Sequence, residues 1–153
     1  RLLKEARAHY EKERQPEVIQ RASEHFCRMT NGRYPRLVAP PGDENILVER
    51  PDGKRLETHE LSRGTAEQQY LALRLGFVQE FSRRSEPLPL VMDDIFVNFD
   101  PGRARAAMKE VLTLTDHHQI LFFTCHPETV ERIRELAPDV DVRELQRRVM
   151  ASA

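Results

Sequence analysis

The stretch Leu88-Pro89-Leu90-Val91-Met92-Asp93-Asp94 limits the possible folds more than any other part of the chain. Apolar residues run together there and stop abruptly at two carboxylates. A run this short and this apolar reads as a strand buried on both faces, as strands of parallel sheets are. Burying an unpaired carboxylate is costly. The two acids therefore belong at the C-terminal edge of the strand, where open α/β sheets bind ligands. They suit the holding of a hard cation and the polarising of a water. A plain strand followed by an acidic turn has the same sequence, so this stretch needs support from others before it means function.

The surrounding pattern supplies a sheet for that strand. Arg103–Leu114 reads as a helix, Gln119–Thr124 as a second buried strand, Glu128–Leu136 as another helix and Val140–Leu145 as a last strand. Strand alternating with helix argues for a parallel sheet flanked by helices, an α/β fold. The first half differs. Leu2, Leu3, Ala6 and Tyr10 fall at helical spacing within the charged run Arg1–Gln15, which reads as the end of a coiled-coil arm. Pro16 suits the first position of a second helix, with Val18, Ile19, Ala22 and Phe26 on one face and a stop at Asn31-Gly32. Leu37–Ala39 is a short strand. Ile46–Arg50 and Lys54–Thr58 flank Pro51-Asp52-Gly53 and read as a β-hairpin. Thr65–Arg84 carries Ala66, Tyr70, Leu73, Phe77 and Phe81 on one stripe, with Leu71, Leu75 and Val78 beside it, which predicts a long, well-buried helix.

Composition adds bounds. A chain of 153 residues is long enough for one domain with a core. Charged residues at 32% against 39% hydrophobic predict long solvated helices. The net charge of −1 gives no overall case for nucleic acid or a membrane surface. Arg83-Arg84 and Arg147-Arg148 are local basic spots, for which solvated helix surface is the simpler reading. Cys27 and Cys125 are far apart and form no metal-spaced pair, which favours a reducing, cytoplasmic setting. No apolar run approaches the roughly 20 residues of a membrane helix. The chain opens on Arg1 with helical sequence at full stride, so it reads as cut from a longer one, with residues 1–15 ending an arm and 16–153 forming the folded lobe.

Three further stretches carry possible chemistry. In Leu61-Ser62-Arg63-Gly64-Thr65-Ala66-Glu67-Gln68-Gln69, Ser62 is a good N-cap and Gly64 lets backbone approach a ligand. Free N–H groups and the helix dipole at that end suit a phosphate, although an ordinary Ser-capped helix would look the same. In Leu121-Phe122-Phe123-Thr124-Cys125-His126 a buried strand ends in a histidine at the ligand edge of the sheet. In Asn98-Phe99-Asp100-Pro101, Asp100 caps a helix that begins with Pro101.

The order of these four stretches resembles the second half of an ABC-type ATPase head. Leu61–Gln69 resembles the signature motif, with Arg63 where the family places a glycine. Leu88–Asp94 resembles the Walker B strand, Asn98–Asp100 the D-loop and His126 the switch histidine. Ser62–Gly76, Asp93–Asp100 and Phe122–His126 look like SMC-like ATPases of the SbcC and YhaN type. Arg21–Leu37 looks like a coiled-coil arm re-entering such a head. No Gly-x-x-x-x-Gly-Lys-[Ser/Thr] phosphate loop occurs in the chain.

The resemblance implies the C-terminal lobe of a P-loop NTPase head. In it Asp93 would help hold Mg²⁺ through water, Asp94 would polarise the attacking water and His126 would contact the γ-phosphate. Most of the superfamily has a glutamate where Asp94 stands. Ser62 and Gly64 would meet ATP held by a second head, with Asp100 at the same interface. The implied cofactors are ATP and Mg²⁺. The implied partners are an N-terminal lobe, a second head and DNA, with no membrane. A lobe that packs on another half leaves apolar surface uncovered, and one without a phosphate loop is inactive alone. Two other readings compete: a metal-dependent nuclease or phosphatase using Asp93, Asp94, Asp100 and His126, and a non-catalytic assembly module. The ATPase reading requires the acid pair, Asp100 and His126 along one rim, with Ser62 and Gly64 facing outward.

Overall fold

The computed structural model describes residues 17–40, 42 and 45–145. The arm expected at 1–15, Pro16 and the Arg147-Arg148 pair lie outside the described residues. Helix α1 (Glu17–Met29) leads into a three-stranded antiparallel sheet, β1 (Arg36–Val38), β2 (Leu47–Glu49) and β3 (Arg55–Leu56). A 3-10 turn at Thr58–Glu60 precedes the long helix α2 (Arg63–Ser82). Then come β4 (Leu90–Asp93), α3 (Pro101–Leu112), β5 (Ile120–Phe123) and α4 (Pro127–Leu136). No helix among the described residues is long and apolar enough to cross a membrane.

Helix α1 buries Ile19, Ala22, Phe26 and Met29 along one stripe. It ends where Asn31 and Gly32 take positive φ angles of 51° and 77°, and the Gly32 amide donates to the Cys27 carbonyl, closing the helix end as the Asn-Gly pair predicts. The buried Ser23 hydroxyl accepts from the Leu37 amide at 2.9 Å, which pins β1 to α1. The hairpin forms around Gly53, whose φ of 79° the tight turn requires. Its strands are shorter than expected, because Glu57 and Glu60 close a capping box around the 3-10 turn and draw Thr58 out of β3.

The crossing of α1 and α2 is the centre of the core, and it corrects the expected burial of α2. Tyr70 is 55% exposed and Phe77 60%, with Phe81 also exposed. The buried face instead carries Gly64, Thr65, Gln68, Leu71, Ala72, Leu75 and Gly76. Small residues decide the rotation. A Cβ at Gly76 would lie 2.6 Å from the Val18 carbonyl oxygen and 2.7 Å from the Ala22 nitrogen. Only a glycine lets the two backbones approach that closely. Aromatic side chains at such a contact would hold the helices apart. Gln68 and Gln69 are buried polar struts: Gln68 Nε2 donates to the Met29 carbonyl at 3.0 Å and Gln69 Nε2 to the Ile46 carbonyl at 3.3 Å.

Helix α3 joins this core through Ala104, Ala107, Met108 and Val111. It also places Glu110 against α1, where the carboxylate meets His25 Nδ1 at 2.7 Å and Arg28 Nε at 2.9 Å. Burial alone would raise the Glu110 pKa, but the bonds from His25 and Arg28 outweigh it and hold the carboxyl below its usual range. Each fully buried side chain such as Phe26 or Leu75 contributes about 1.5–3 kcal/mol.

Strands β4 and β5 pair in parallel, Leu90 opposite Ile120 through Asp93 opposite Phe123. Helix α3 is the crossover between them, as the strand–helix–strand pattern predicts. Two expectations fail here. The strands are covered on one face only: Leu90, Met92, Ile120 and Phe122 pack against the core. On the other face Val91 is 68% exposed, and Leu121 and Phe123 are exposed too. Residues 140–145 form no strand. The Val140 amide turns back to the Ala137 carbonyl at 3.1 Å, so this segment lines up with no neighbour that could complete a ladder.

Candidate functional site

The C-terminal ends of β4 and β5 meet because the strands run in parallel and in register. The Asp94 amide extends the ladder by donating to the Phe123 carbonyl at 3.0 Å. There Asp94 adopts a φ of 46°, a left-handed conformation uncommon outside glycine and common at functional sites. The following loop is anchored by Phe96, which stacks on Phe122 at 5.2 Å between ring centroids. The acid-bearing turn is thus fixed to β5 from below.

Around the Asp94 carboxylate the polar groups are ordered. Thr124 Oγ1 donates to Oδ1 at 2.6 Å, and Cys125 Sγ donates to Oδ2 at 3.4 Å. The His126 amide donates to Thr124 Oγ1 at 3.1 Å. His126 Nε2 stands 4.0 Å from Asp94 Oδ2, too far for a direct hydrogen bond. The Thr124 bond lowers the Asp94 pKa most, against some desolvation, with Cys125 and His126 adding to the effect. The same contacts push the Cys125 thiol up, chiefly because it donates to Asp94. Asp94 is therefore an ionised carboxylate at neutral pH, with Oδ1 committed to Thr124 and Oδ2 turned toward Cys125 and His126. Asp93 is the last residue of β4 and is exposed.

A second cluster forms where α2 and α3 begin. Ser62 caps α2, accepting from the Thr65 amide, and its hydroxyl lies 2.8 Å from Thr65 Oγ1. Asp100 caps α3, accepting from the Arg103 amide at 3.0 Å. The Arg103 guanidinium joins the two caps: Nη1 lies 3.5 Å from Asp100 Oδ2 and Nη2 donates to Ser62 Oγ at 3.4 Å. It also fills the space beside Gly64, where a Cβ would come within 2.5 Å of Nη1.

The predicted residues thus fall into two groups. Asp93, Asp94 and His126 share one sheet edge, as expected, whereas Asp100, expected on that same rim, is instead linked through Arg103 to the Ser62–Gly64 end of α2. A two-metal nuclease would need Asp93, Asp94, Asp100 and His126 in one ligand set. Among the described residues the close set of metal-ligating types contains Asp94, Cys125 and His126, without Asp93 or Asp100. Sequence reasoning gave no role to Arg103 or Thr124. Arg103 was accessible to it, because a cation three residues after an Asp N-cap faces that cap. The reach of Arg103 across 41 residues to Ser62 had no local signal.

The global arrangement matches known heads. A solved structure concerned with ATP-driven dimerization and DNA-stimulated activation of SMC ATPases superposes with a TM-score of 0.59, at 16% identity, over 76% of this chain and 71% of that one. The SMC head domain from Thermotoga maritima gives 0.56 at 15% identity, over 78% of this chain and 40% of that one. The chain has the fold of an SMC-like ATPase head. In sequence it is similar to the uncharacterized protein YhaN of Bacillus subtilis (strain 168), 37% identical over 113 residues. That match takes in 72% of the chain but only 12% of the length of YhaN. No protein-family profile matches the chain. The resemblance to SMC-like heads of the YhaN type is borne out at the level of fold and sequence similarity.

Proposed function

We propose that this head fragment serves an ATPase that binds and hydrolyses ATP with Mg²⁺ at sites shared between paired heads. The observation that carries the reading is the meeting of Asp94 and His126 at the parallel strand ends, in an SMC-like head fold. Asp93, exposed at the end of β4, would hold Mg²⁺ through water, since a hard cation suits a lone carboxylate with bound waters. Bound there, the ion would supply charge neutralisation at the phosphates.

The residues of the chain then divide the work. Asp94 presents Oδ2 to the attacking water. A carboxylate with a lowered pKa is a weak proton acceptor, so Asp94 orients and polarises that water more than it deprotonates it. Thr124 fixes the orientation of the carboxylate by its bond to Oδ1. His126, with Nε2 4.0 Å from Oδ2, touches the γ-phosphate in this reading. Ser62 and Gly64, at the N-terminus of α2, offer a hydroxyl and amides to a nucleotide held by another head. Asp100 sits beside them at that interface. The bare apolar faces of β4–β5 and α2 fit a second lobe of the same head, which would carry the phosphate loop that this chain lacks. Coupling to DNA belongs to the same reading.

The chain alone should show negligible ATP turnover. Joined with the lobe that carries the phosphate loop, it should turn over ATP. Asp94→Asn should then lower the rate by at least a hundredfold, while ATP-dependent pairing of heads persists in size-exclusion chromatography. Wild-type turnover in that variant would remove Asp94 from the chemistry.

A further inference from the structure

Asp94, Cys125 and His126 are three different metal-ligand types, and their ligand atoms all lie within 4.8 Å of one another. We infer that they form a site for a single borderline-soft divalent ion, Zn²⁺ above all, at the ends of β4 and β5. Ligand spacing supports this. With Zn–S about 2.3 Å and Zn–N or Zn–O about 2.0–2.2 Å, tetrahedral ligand atoms sit roughly 3.3–3.6 Å apart. Cys125 Sγ is 3.4 Å from Asp94 Oδ2, already at that spacing. His126 Nε2 is 4.0 Å from the same oxygen, and a small rotation of a partly exposed ring closes the difference.

The surroundings are built for it as well. Thr124 donates to Asp94 Oδ1 and accepts from the His126 backbone amide, so one hydroxyl fixes the carboxylate ligand and the backbone that carries the histidine. Outer hydrogen bonds of this kind fix the direction of first ligands. Phe96 stacked on Phe122 holds the acid-bearing turn against β5. The set of one sulfur, one nitrogen and one oxygen disfavours Mg²⁺ and Ca²⁺, which take oxygen ligands. Three protein ligands leave the fourth tetrahedral position for water. On binding, the Cys125 S–H bond breaks, sulfur gives its electron pair to the metal and the proton passes to solvent.

The site itself stands independently of the ATPase reading. Its consequence rests on that reading: a bound Zn²⁺ would take the Asp94 carboxylate and the His126 imidazole away from the attacking water. The ion would therefore act as an inhibitor of the head.

The test uses Co²⁺ as a spectroscopic stand-in, added to the chain without nucleotide. One equivalent should give a thiolate-to-metal charge-transfer band and intense tetrahedral d–d absorption. Zn²⁺ should displace both, and excess Mg²⁺ should displace neither. Cys125→Ser should abolish the charge-transfer band, while Cys27→Ser keeps it. Thr124→Val should weaken Co²⁺ binding roughly 10- to 100-fold, as loss of an outer ligand contact does. Circular dichroism of each variant checks that the fold persists. Absence of the band in the folded wild type, or its survival in Cys125→Ser, overturns the site. Loss of turnover in Asp94→Asn of the complete head, with no cobalt band in the wild type, would sink this proposal and leave the ATPase reading in place.

Discussion

The α1–α2 half and the β4–β5 half use polar residues in opposite ways. Around α1 and α2, the polar groups Ser23, His25, Gln68, Gln69 and Glu110 are buried and bonded to backbone or to charged partners. They hold elements together. Around β4 and β5 the polar groups stand at the strand ends, partly open, beside an apolar face that nothing covers. The α1–α2 contact is closed by its own side chains, whereas the outer face of β4–β5, like the outer stripe of α2 with Tyr70 and Phe77, stays bare. Buried polar groups that tie elements together and polar groups left open at strand ends read alike in sequence.

The largest effect belongs to Gly76, at the α1–α2 crossing. Gly76→Leu should cost about 3 kcal/mol or more, because the α1 backbone occupies the new side chain's space. Urea unfolding would show it as a lower midpoint, and a midpoint unchanged from wild type would mean the helices are not in close contact. Glu110→Ala comes next, at about 2–3 kcal/mol, since it strands His25 and Arg28 against a partly buried hole. Its pH dependence has a definite sign. The folded pKa of Glu110 lies below the ordinary 4.5. The stability it contributes is thus complete above pH 4.5 and disappears as pH falls through the lower folded value. Thermal melts of wild type and Glu110→Gln should therefore converge in acid and separate toward neutral pH. Parallel curves would show that the carboxylate charge contributes nothing.

Gln68→Leu should cost about 1–2 kcal/mol, by leaving the Met29 carbonyl without its donor in the core. The smallest effect belongs to the open half. Leu121→Lys should change stability by less than about 0.5 kcal/mol, because that side chain already faces outward. It should also reduce any self-association seen by sedimentation. A large loss of stability there would mean that the face is covered.

The same contrast explains what the sequence made legible. The strand–helix–strand run at 88–136 could be read because its periodicity is local. The facing of α2 could not. Tyr70, Phe77 and Phe81 fall on a helical stripe as Gln68, Ala72 and Gly76 do, and which stripe turns inward depends on how close α1 comes. Val140–Leu145 alternates like a strand, but a strand exists only where a neighbour pairs with it. At the site, the order of Ser62, Asp93, Asp94, Asp100 and His126 was enough to suggest the chemistry. The ties that organise them, Thr124 to Asp94 and Arg103 to Ser62, span 30 and 41 residues and leave no trace in local pattern.

Arg103 gives that last tie a mechanical meaning. Its guanidinium is shared by the Ser62 hydroxyl and the Asp100 carboxylate and fills the space beside Gly64. An anion arriving at the start of α2 would compete for the same cation. Drawing the guanidinium away would uncover Asp100 Oδ2 in the same movement, while Oδ1 keeps its bond to the Arg103 amide, so the mouths of two helices answer to one latch.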